Sequence, residues 1–265
     1  MQKVILVTGA SSGIGEATAL ALADAGHRVF AAMRSAHPVP QRPEVTALQM
    51  DVRDAQSVDR AVRQVLHDAG RIDVVVNNAG ISLAGPIEAT SDAEAMALFD
   101  TNLFGVLRVC RAVLPTMRAQ RSGLIVNVSS VLGFLPAPFM GLYCASKHAV
   151  EGLSESLDHE VRGFGVRVTM IEPSFTNTKL DTNARPMAVQ LSEYQADQTR
   201  TIAAVKEQIA SAPPPSSVAA AIVETIGGPH RLRRPADKRA RLLAFLRRFA
   251  PAGQVDKSLR SSFGL

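Results

Sequence analysis

The run Val4-Ile5-Leu6-Val7-Thr8-Gly9-Ala10-Ser11-Ser12-Gly13-Ile14-Gly15 joins a strand to a helix through a glycine-rich turn. Its first half is apolar and β-branched, as in a strand buried inside a parallel sheet. A helical pattern follows, with Ala17, Leu20, Ala21 and Ala25, and ends at Gly26. Such a turn is an anion site, because small residues let backbone N–H groups approach a pyrophosphate and the helix dipole favours its charge. Gly9, Ser11, Ser12, Gly13, Ile14 and Gly15 are therefore candidate binding residues.

Further strand patterns occur at Arg28 to Met33, Val45 to Met50, Ile72 to Val76, Leu124 to Val128 and Val166 to Ile171, with helical patterns between most of them. The alternation predicts an α/β fold: a doubly wound, Rossmann-type parallel sheet of about seven strands with helices on both faces. A length of 265 residues suits one domain spanning 1–265 better than two small ones. Pro38, Pro40 and Pro43 mark an irregular connection between the second and third strands.

The polar residues of interest follow strands. In an open parallel sheet those carboxyl ends share one edge, where ligands bind at a switch in strand order. The second strand ends in Met33-Arg34. A dinucleotide site meets the adenosine ribose there, and an acid would repel a 2′-phosphate whereas a guanidinium suits one. Arg34, with Ser11 and Ser12 as further donors, favours NADP(H) over NAD(H), the second remaining open. Asp51, followed by Val52, either accepts from the adenine amino group or caps the next helix. Asn77-Asn78-Ala79-Gly80 closes the fourth strand with amides able to satisfy loop backbone and flank a flat ligand. Asn102 lies inside the helical region 91–118, where an asparagine competes for backbone bonds and suggests a polar task. The fifth strand ends in Ser129-Ser130, and an apolar loop, Val131 to Met140, either packs on the fold or lines a substrate pocket.

Tyr143-Cys144-Ala145-Ser146-Lys147 follows. Four residues is just over one helical turn, so the phenol and the ammonium share a face. A fixed cation lowers a phenol pKa from its reference value of about 10, which makes the pair a proton-transfer device.

Charge and composition exclude other classes. His230 to Arg248 holds eight Lys/Arg against one acid, a net +7, which leaves −2 for the rest of a chain whose formal charge is +5. Positive charge confined to one stretch argues against a nucleic-acid reader. No apolar run is long enough to span a membrane. The opening run of four apolar residues leads straight into Thr8-Gly9, a strand and not a signal peptide, so a cytoplasmic location is expected. Cys110 and Cys144 and the six histidines show no metal-ligand spacing.

Taken together, Thr8 to Gly15 as T-G-x-x-x-G-x-G, Asn77 to Gly80, Asn102, Ser130 and Tyr143-x-x-x-Lys147 resemble the short-chain dehydrogenase/reductase family from residue 3 to about 180. The YCASK motif, the following Ala149 to Leu153 and the ending Phe263-Gly264-Leu265 look closest to members acting on steroids, retinoids and similar lipophilic alcohols or ketones. The resemblance implies a hydride passing between a nicotinamide and a carbonyl carbon. Ser130 would bond the carbonyl oxygen, Tyr143 would donate the proton, and Lys147 would lower the phenol pKa and hold the ribose. Asn102 would support a water linking Lys147 to solvent. Asn78, Ala79, Gly80, Pro173, Thr176 and Thr178 would complete the cofactor site. Ser174 departs from the usual Pro-Gly and adds bulk near the nicotinamide.

Residues 179–215 correspond to a small helical substrate lid, with Met187, Leu191, Tyr194 and Ile202 supplying either its apolar lining or core packing. In the basic tail, 230–265, Leu242, Phe245, Leu246 and Phe249 share a helical face. That stripe is expected to pack on the domain or on a second subunit of a homo-oligomer, dimer or tetramer by family habit. Peripheral contact with anionic lipid is the weaker alternative. A non-catalytic NADP(H)-binding regulator and a dehydratase or epimerase are the competing functions. The retained Asn102, Ser130, Tyr143 and Lys147 argue against the first, and the lack of any sign of a nucleotide-sugar subdomain against the second.

Overall fold

A computed structural model describes residues 1–35, 42–178, 180 and 189–265. Pro38, Pro40 and Met187 lie outside the described residues.

Seven strands form one parallel sheet. They are β1 (Val4–Thr8), β2 (Arg28–Met33), β3 (Val45–Gln49), β4 (Val74–Asn77), β5 (Gly123–Val128), β6 (Val166–Glu172) and β7 (Arg233–Pro235). The order is β3-β2-β1-β4-β5-β6-β7, so the chain runs outward from β1 in one direction and then outward from β4 in the other. The carboxyl ends of β1 and β4 therefore flank the switch point, where loops leaving in opposite directions open a crevice.

Strand alternation feeds two cores. Leu6, Phe30, Val75 and Ile125 face α2 (Ala55–Ala69), α4 (Gly105–Gln120) and α5 (Gly141–Val161). Ile5, Val7, Val29 and Val126 face α1 (Gly13–Asp24) and α7 (Pro215–Gly227). Leu22 and Ile222, wholly buried on the second face, each contribute roughly 1.5–3 kcal/mol by leaving water. A third cluster joins the 131–140 loop to Tyr143, Cys144 and Phe263.

Three features differ from the sequence expectation. The helical region 91–118 is not continuous: α3 (Asp92–Phe99), opened by a Ser91 and Glu94 capping box, passes through a π-helical turn at Asp100–Phe104 before α4. Asp51 does not cap α2; Asp54 does, accepting from Gln56 N at 2.9 Å. β7 comes from within the basic stretch, pairing Arg233 with Met170 and Pro235 with Glu172. Proline is tolerated there because β7 is an edge strand.

The chain ends with α6 (Ser192–Ala210), α7, α8 (Lys238–Phe249) and α9 (Ala252–Ser262). α8 presents Ala240 and Leu243 to its own domain, and Arg247 Nε donates to Phe134 O. Leu242, Phe245, Leu246 and Phe249 are 56%, 58%, 40% and 65% exposed, so their stripe does not pack on its own domain. Among the described residues no helix is long and apolar enough to cross a membrane.

Candidate active site

The glycine-rich turn is held open by contacts no other residue would allow. Gly9 has φ +66°, and a Cβ on it would sit 2.7 Å from Ala79 Cα. A Cβ on Gly15 would meet Gly9 O at 2.3 Å and Asn78 Nδ2 at 2.4 Å. Asn78 fastens the two strand ends: its Nδ2 donates to Thr8 O (3.0 Å) and Gly9 O (3.2 Å), and Thr8 Oγ1 accepts from the N–H groups of Asn78 and Ala79. Ser11 and Ser12 are exposed at this turn, with Ser12 at the N-cap position of α1. Close-packed glycines before an uncapped helix N-terminus fit a dinucleotide pyrophosphate.

Asn102 lies in the π turn, 1% exposed. Its Oδ1 accepts from Ile81 N (2.9 Å), while Nδ2 donates to Ile81 O (3.0 Å) and Ser146 Oγ (3.1 Å). Its amide thus ties the Gly80-Ile81 loop to α5. A Cβ placed on Gly80 would lie 3.4 Å from Asn102 Oδ1 and 4.0 Å from Lys147 Nζ. Lys147 Nζ donates to Val128 O at 2.9 Å and stands 5.8 Å from the Tyr143 ring centre. Ser130, at the end of β5, accepts from Leu132 N at 3.1 Å. The structure therefore brings Asn102, Lys147 and Tyr143 together beside the loop after β4. Burial pushes the Lys147 ammonium down to about 8, against the opposing charge of Glu151. Cys144 is a buried packing residue, its thiol pushed up to about 11 by burial.

Around this centre the other expected residues fall as follows. Arg34 is exposed just after β2, within reach of the Asp51 charge at the end of neighbouring β3. Asp51 is engaged by Arg53 Nη2 at 2.6 Å, and that bond holds its carboxyl below the usual range. Val52 is buried and a Cβ on Gly105 would meet it at 2.9 Å, so Val52 packs on α4. Pro173 O accepts from Val131 N at 2.9 Å, joining the loops after β5 and β6. Ser174 is directed at Asp237, to which its N–H and hydroxyl donate at 3.0 and 2.9 Å. Thr176 Oγ1 turns back to Ser174 O, and the Thr178 methyl lies 3.6 Å from the position of a Cβ on Gly13.

One group escaped the sequence reading. Glu151, Glu155 and Glu172 converge on Arg233 directly behind Lys147. Burial and then the charge of Glu151 push Glu172 up to about 7, against the pull of Arg233. Its one local signal was Glu151 standing four residues after Lys147, continuing the Tyr143 to Lys147 spacing.

The apolar loop both packs and lines a cleft. Val131, Leu132, Leu135 and Met140 are buried in the third cluster. Ala137, Pro138 and Phe139 border a cleft of about 480 Å³ together with Pro86, Ile87, Glu88 and Tyr194. Phe139 meets Tyr194 edge-on at 6.4 Å, and Tyr194 donates its hydroxyl to Glu88 at 2.7 Å. The exposed side chain of Ile87 and the start of α5 at Gly141 complete the rim.

Comparisons with known proteins agree with this fold. The family model "short chain dehydrogenase" matches residues 3–188. A 3-ketodihydrosphingosine reductase from Bacteroides thetaiotaomicron is 37% identical over 226 residues, covering 84% of this chain and 83% of the relative. Retinol dehydrogenase 8 from Bos taurus is 33% identical over 96% of this chain and 87% of its own. Among solved structures, a short-chain dehydrogenase from Streptomyces avermitilis superposes with TM-score 0.81 at 34% identity, covering 98% of this chain and 94% of the other. Two from Burkholderia are similar to it as well. The Burkholderia phymatum protein, in complex with NAD, has TM-score 0.80 at 27% identity and covers 93% of this chain and 92% of its own. The Burkholderia cenocepacia protein, in complex with NADP, has TM-score 0.79 at 25% identity and covers 98% and 99%. The chain belongs to the short-chain dehydrogenase/reductase family, oxidoreductases that act on alcohol and keto groups.

Proposed function

We propose that this chain is an NADP(H)-dependent oxidoreductase that interconverts a lipophilic alcohol, preferably secondary, with its ketone or aldehyde. The observation that carries the reading is the meeting of Lys147 and Asn102 at Gly80, with the Tyr143 ring 5.8 Å from Lys147 Nζ, on the edge where the glycine cradle opens. A bound nicotinamide dinucleotide supplies or accepts the hydride. In reduction, Ser130 donates to the carbonyl oxygen as negative charge grows there, and Tyr143 gives up its proton to it. Lys147 stabilises the phenolate left behind. Asn102 fixes the Gly80-Ile81 loop against α5. Both Nδ2 hydrogens of its amide are engaged, while Oδ1, which accepts one bond, keeps a lone pair for a water linking Lys147 to solvent.

Preference for NADP(H) rests on Arg34 and the exposed Ser11 and Ser12, three donors to a 2′-phosphate, with the neighbouring Asp51 carboxylate engaged by Arg53. Pro173, Thr176 and Thr178 are assigned to the nicotinamide end. The lipophilic substrate is inferred from the aromatic and aliphatic cleft walls, Ile87, Phe139 and Tyr194, and from relatives named retinol dehydrogenase 8 and 3-ketodihydrosphingosine reductase. We assign 179–215 to the substrate lid, and the exposed α8 stripe to a second subunit. Flotation with anionic vesicles at low salt tests the bilayer alternative: recovery in the soluble fraction rules it out, and co-flotation supports it.

A cofactor-resolved activity screen tests the whole reading. NADPH and NADH are each offered with aliphatic ketones, steroid ketones, retinal and 3-ketodihydrosphingosine. Turnover of a lipophilic carbonyl with NADPH is the expected result, and turnover confined to small polar carbonyls would contradict it.

A further inference from the structure

Behind Lys147 three carboxylates share one guanidinium. Arg233 donates through Nη1 to Glu151 at 2.6 Å and Glu172 at 2.7 Å, and through Nε to Glu155 at 2.8 Å. Glu151 and Glu172 are buried, 3% and 1% exposed. In α5 the spacing that stacks Tyr143 on Lys147 also stacks Lys147 on Glu151. The Glu151 carboxylate is fixed from three sides. Its Oε1 accepts from Ser129 Oγ at 2.8 Å, its Oε2 from Arg233, and a Cβ on Gly133 would fall 2.1 Å from Oε1. Ser129 is in turn flanked by Ser130 and by Val128, whose carbonyl holds Lys147 Nζ.

We propose that Glu151 is a positioning residue for the proton-transfer pair, its carboxylate, fixed by Ser129 and Arg233, keeping Lys147 charged in a site that strips the ammonium of water, with Glu172 reinforcing it. This rests on the roles given above to Tyr143 and Lys147. Burial alone would favour the neutral amine, and a neutral Lys147 does not stabilise a phenolate.

The charges add up in the required direction. Lys147 meets Tyr143 and Glu151 on its own helix and the Val128 carbonyl on β5. Glu151 meets Lys147 and Glu155 on α5, Ser129 after β5, Glu172 on β6 and Arg233 on β7. Three acids against one guanidinium leave the cluster negative when all are ionised. Glu172 loses its proton near pH 7, just below the range in which Lys147 would lose its own near 8. Deprotonation of Glu172 therefore adds to the negative field on Lys147 on the side of the pH range where the ammonium would be lost.

The test reads Lys147 directly. The chain has six lysines, so their 13Cε signals can be followed against pH in the cofactor-free protein, with Lys147 identified by its loss in Lys147→Met. Glu151→Gln keeps the shape and the bond from Ser129, and is expected to lower the Lys147 midpoint by about one unit; Glu172→Gln lowers it less. The alkaline limb of ketone reduction should move the same way, because reduction needs the charged lysine. A merely structural role would cost stability and leave the midpoint in place. An unmoved midpoint in Glu151→Gln overturns the proposal, and should that variant not fold, an unmoved midpoint in Glu172→Gln does so. Tyr143→Phe separates this from the parent reading: if that variant turns over while the lysine midpoints shift as expected, the catalytic assignment fails and the electrostatic one stands.

Discussion

Asp237 binds Ser174 twice on one carboxylate oxygen, taking its N–H at 3.0 Å and its hydroxyl at 2.9 Å, while its other oxygen caps α8 through Ala240 N at 2.7 Å. The serine that replaces the family's glycine after β6 is thus committed to the tail helix. Asp237→Ala removes a helix cap, typically ~1 kcal/mol, together with two charge-assisted bonds. We expect a loss of about 2–4 kcal/mol in urea unfolding, only partly restored by Asp237→Asn, whose single acceptor oxygen can serve either the cap or Ser174 but not both. A loss below about 0.5 kcal/mol, the range of ordinary surface changes, would show that these bonds do not hold the loop.

Lys147 makes stability depend on pH with a definite sign. Its folded pKa of about 8 lies below the ordinary 10.5, so between those values the folded protein binds fewer protons than the unfolded chain. Stability from this group therefore rises with pH across that window, and below it the full penalty of burying the cation is present. The Tm difference between Lys147→Met and wild type should favour the variant most near neutrality and shrink as pH climbs from 8 to 10.5. A difference independent of pH would mean that Lys147 is not a desolvated cation.

The two faces of the tail helices should respond differently to truncation. Phe245 and Phe249 stack on each other at 4.9 Å in solvent, and replacing both with serine should change unfolding free energy by no more than about 0.5 kcal/mol each in the monomer. Phe263, 4% exposed against Phe175, should cost about 3–5 kcal/mol as alanine. Equal losses would place the stripe in a buried interface.

Arg34→Ala removes the guanidinium that follows β2. If it holds a 2′-phosphate, one charge-assisted interaction of about 1.5–3 kcal/mol is lost, or roughly 10- to 100-fold in KM for NADPH with NADH little changed. Parallel changes for both cofactors would remove the phosphate from its role.

What the sequence made legible was local. The run from Val4 to Gly15 is strand, turn and helix without interruption, so neighbouring residues reveal it, as the Tyr143 to Lys147 spacing reveals the helix that carries them. β7 was hidden because Arg233-Arg234-Pro235 has neither apolar alternation nor β-branching; only pairing with β6 makes it a strand. The π turn at Asp100–Phe104 was read as plain helix because periodicity over one extra residue is nearly unchanged, although Asn102 inside it marked the place. Asp51 and Asp54 are both plausible caps in sequence, and only the Arg53 bond and the Gln56 N–H distinguish them. The α8 stripe was correctly seen as one face, but the domain took the neighbouring face of Ala240 and Leu243. The Glu151, Glu172 and Arg233 cluster joins a helix and two strands far apart in the chain, which no local pattern records.

The account turns on Tyr143 as the proton donor, and Tyr143→Phe, with turnover and NADPH affinity measured on the same preparation, tests it most directly. The prediction is a fall in turnover of at least about 10²-fold, the low end for lost general acid catalysis, with cofactor affinity essentially retained. Near-normal turnover in a folded, NADPH-binding variant would contradict it.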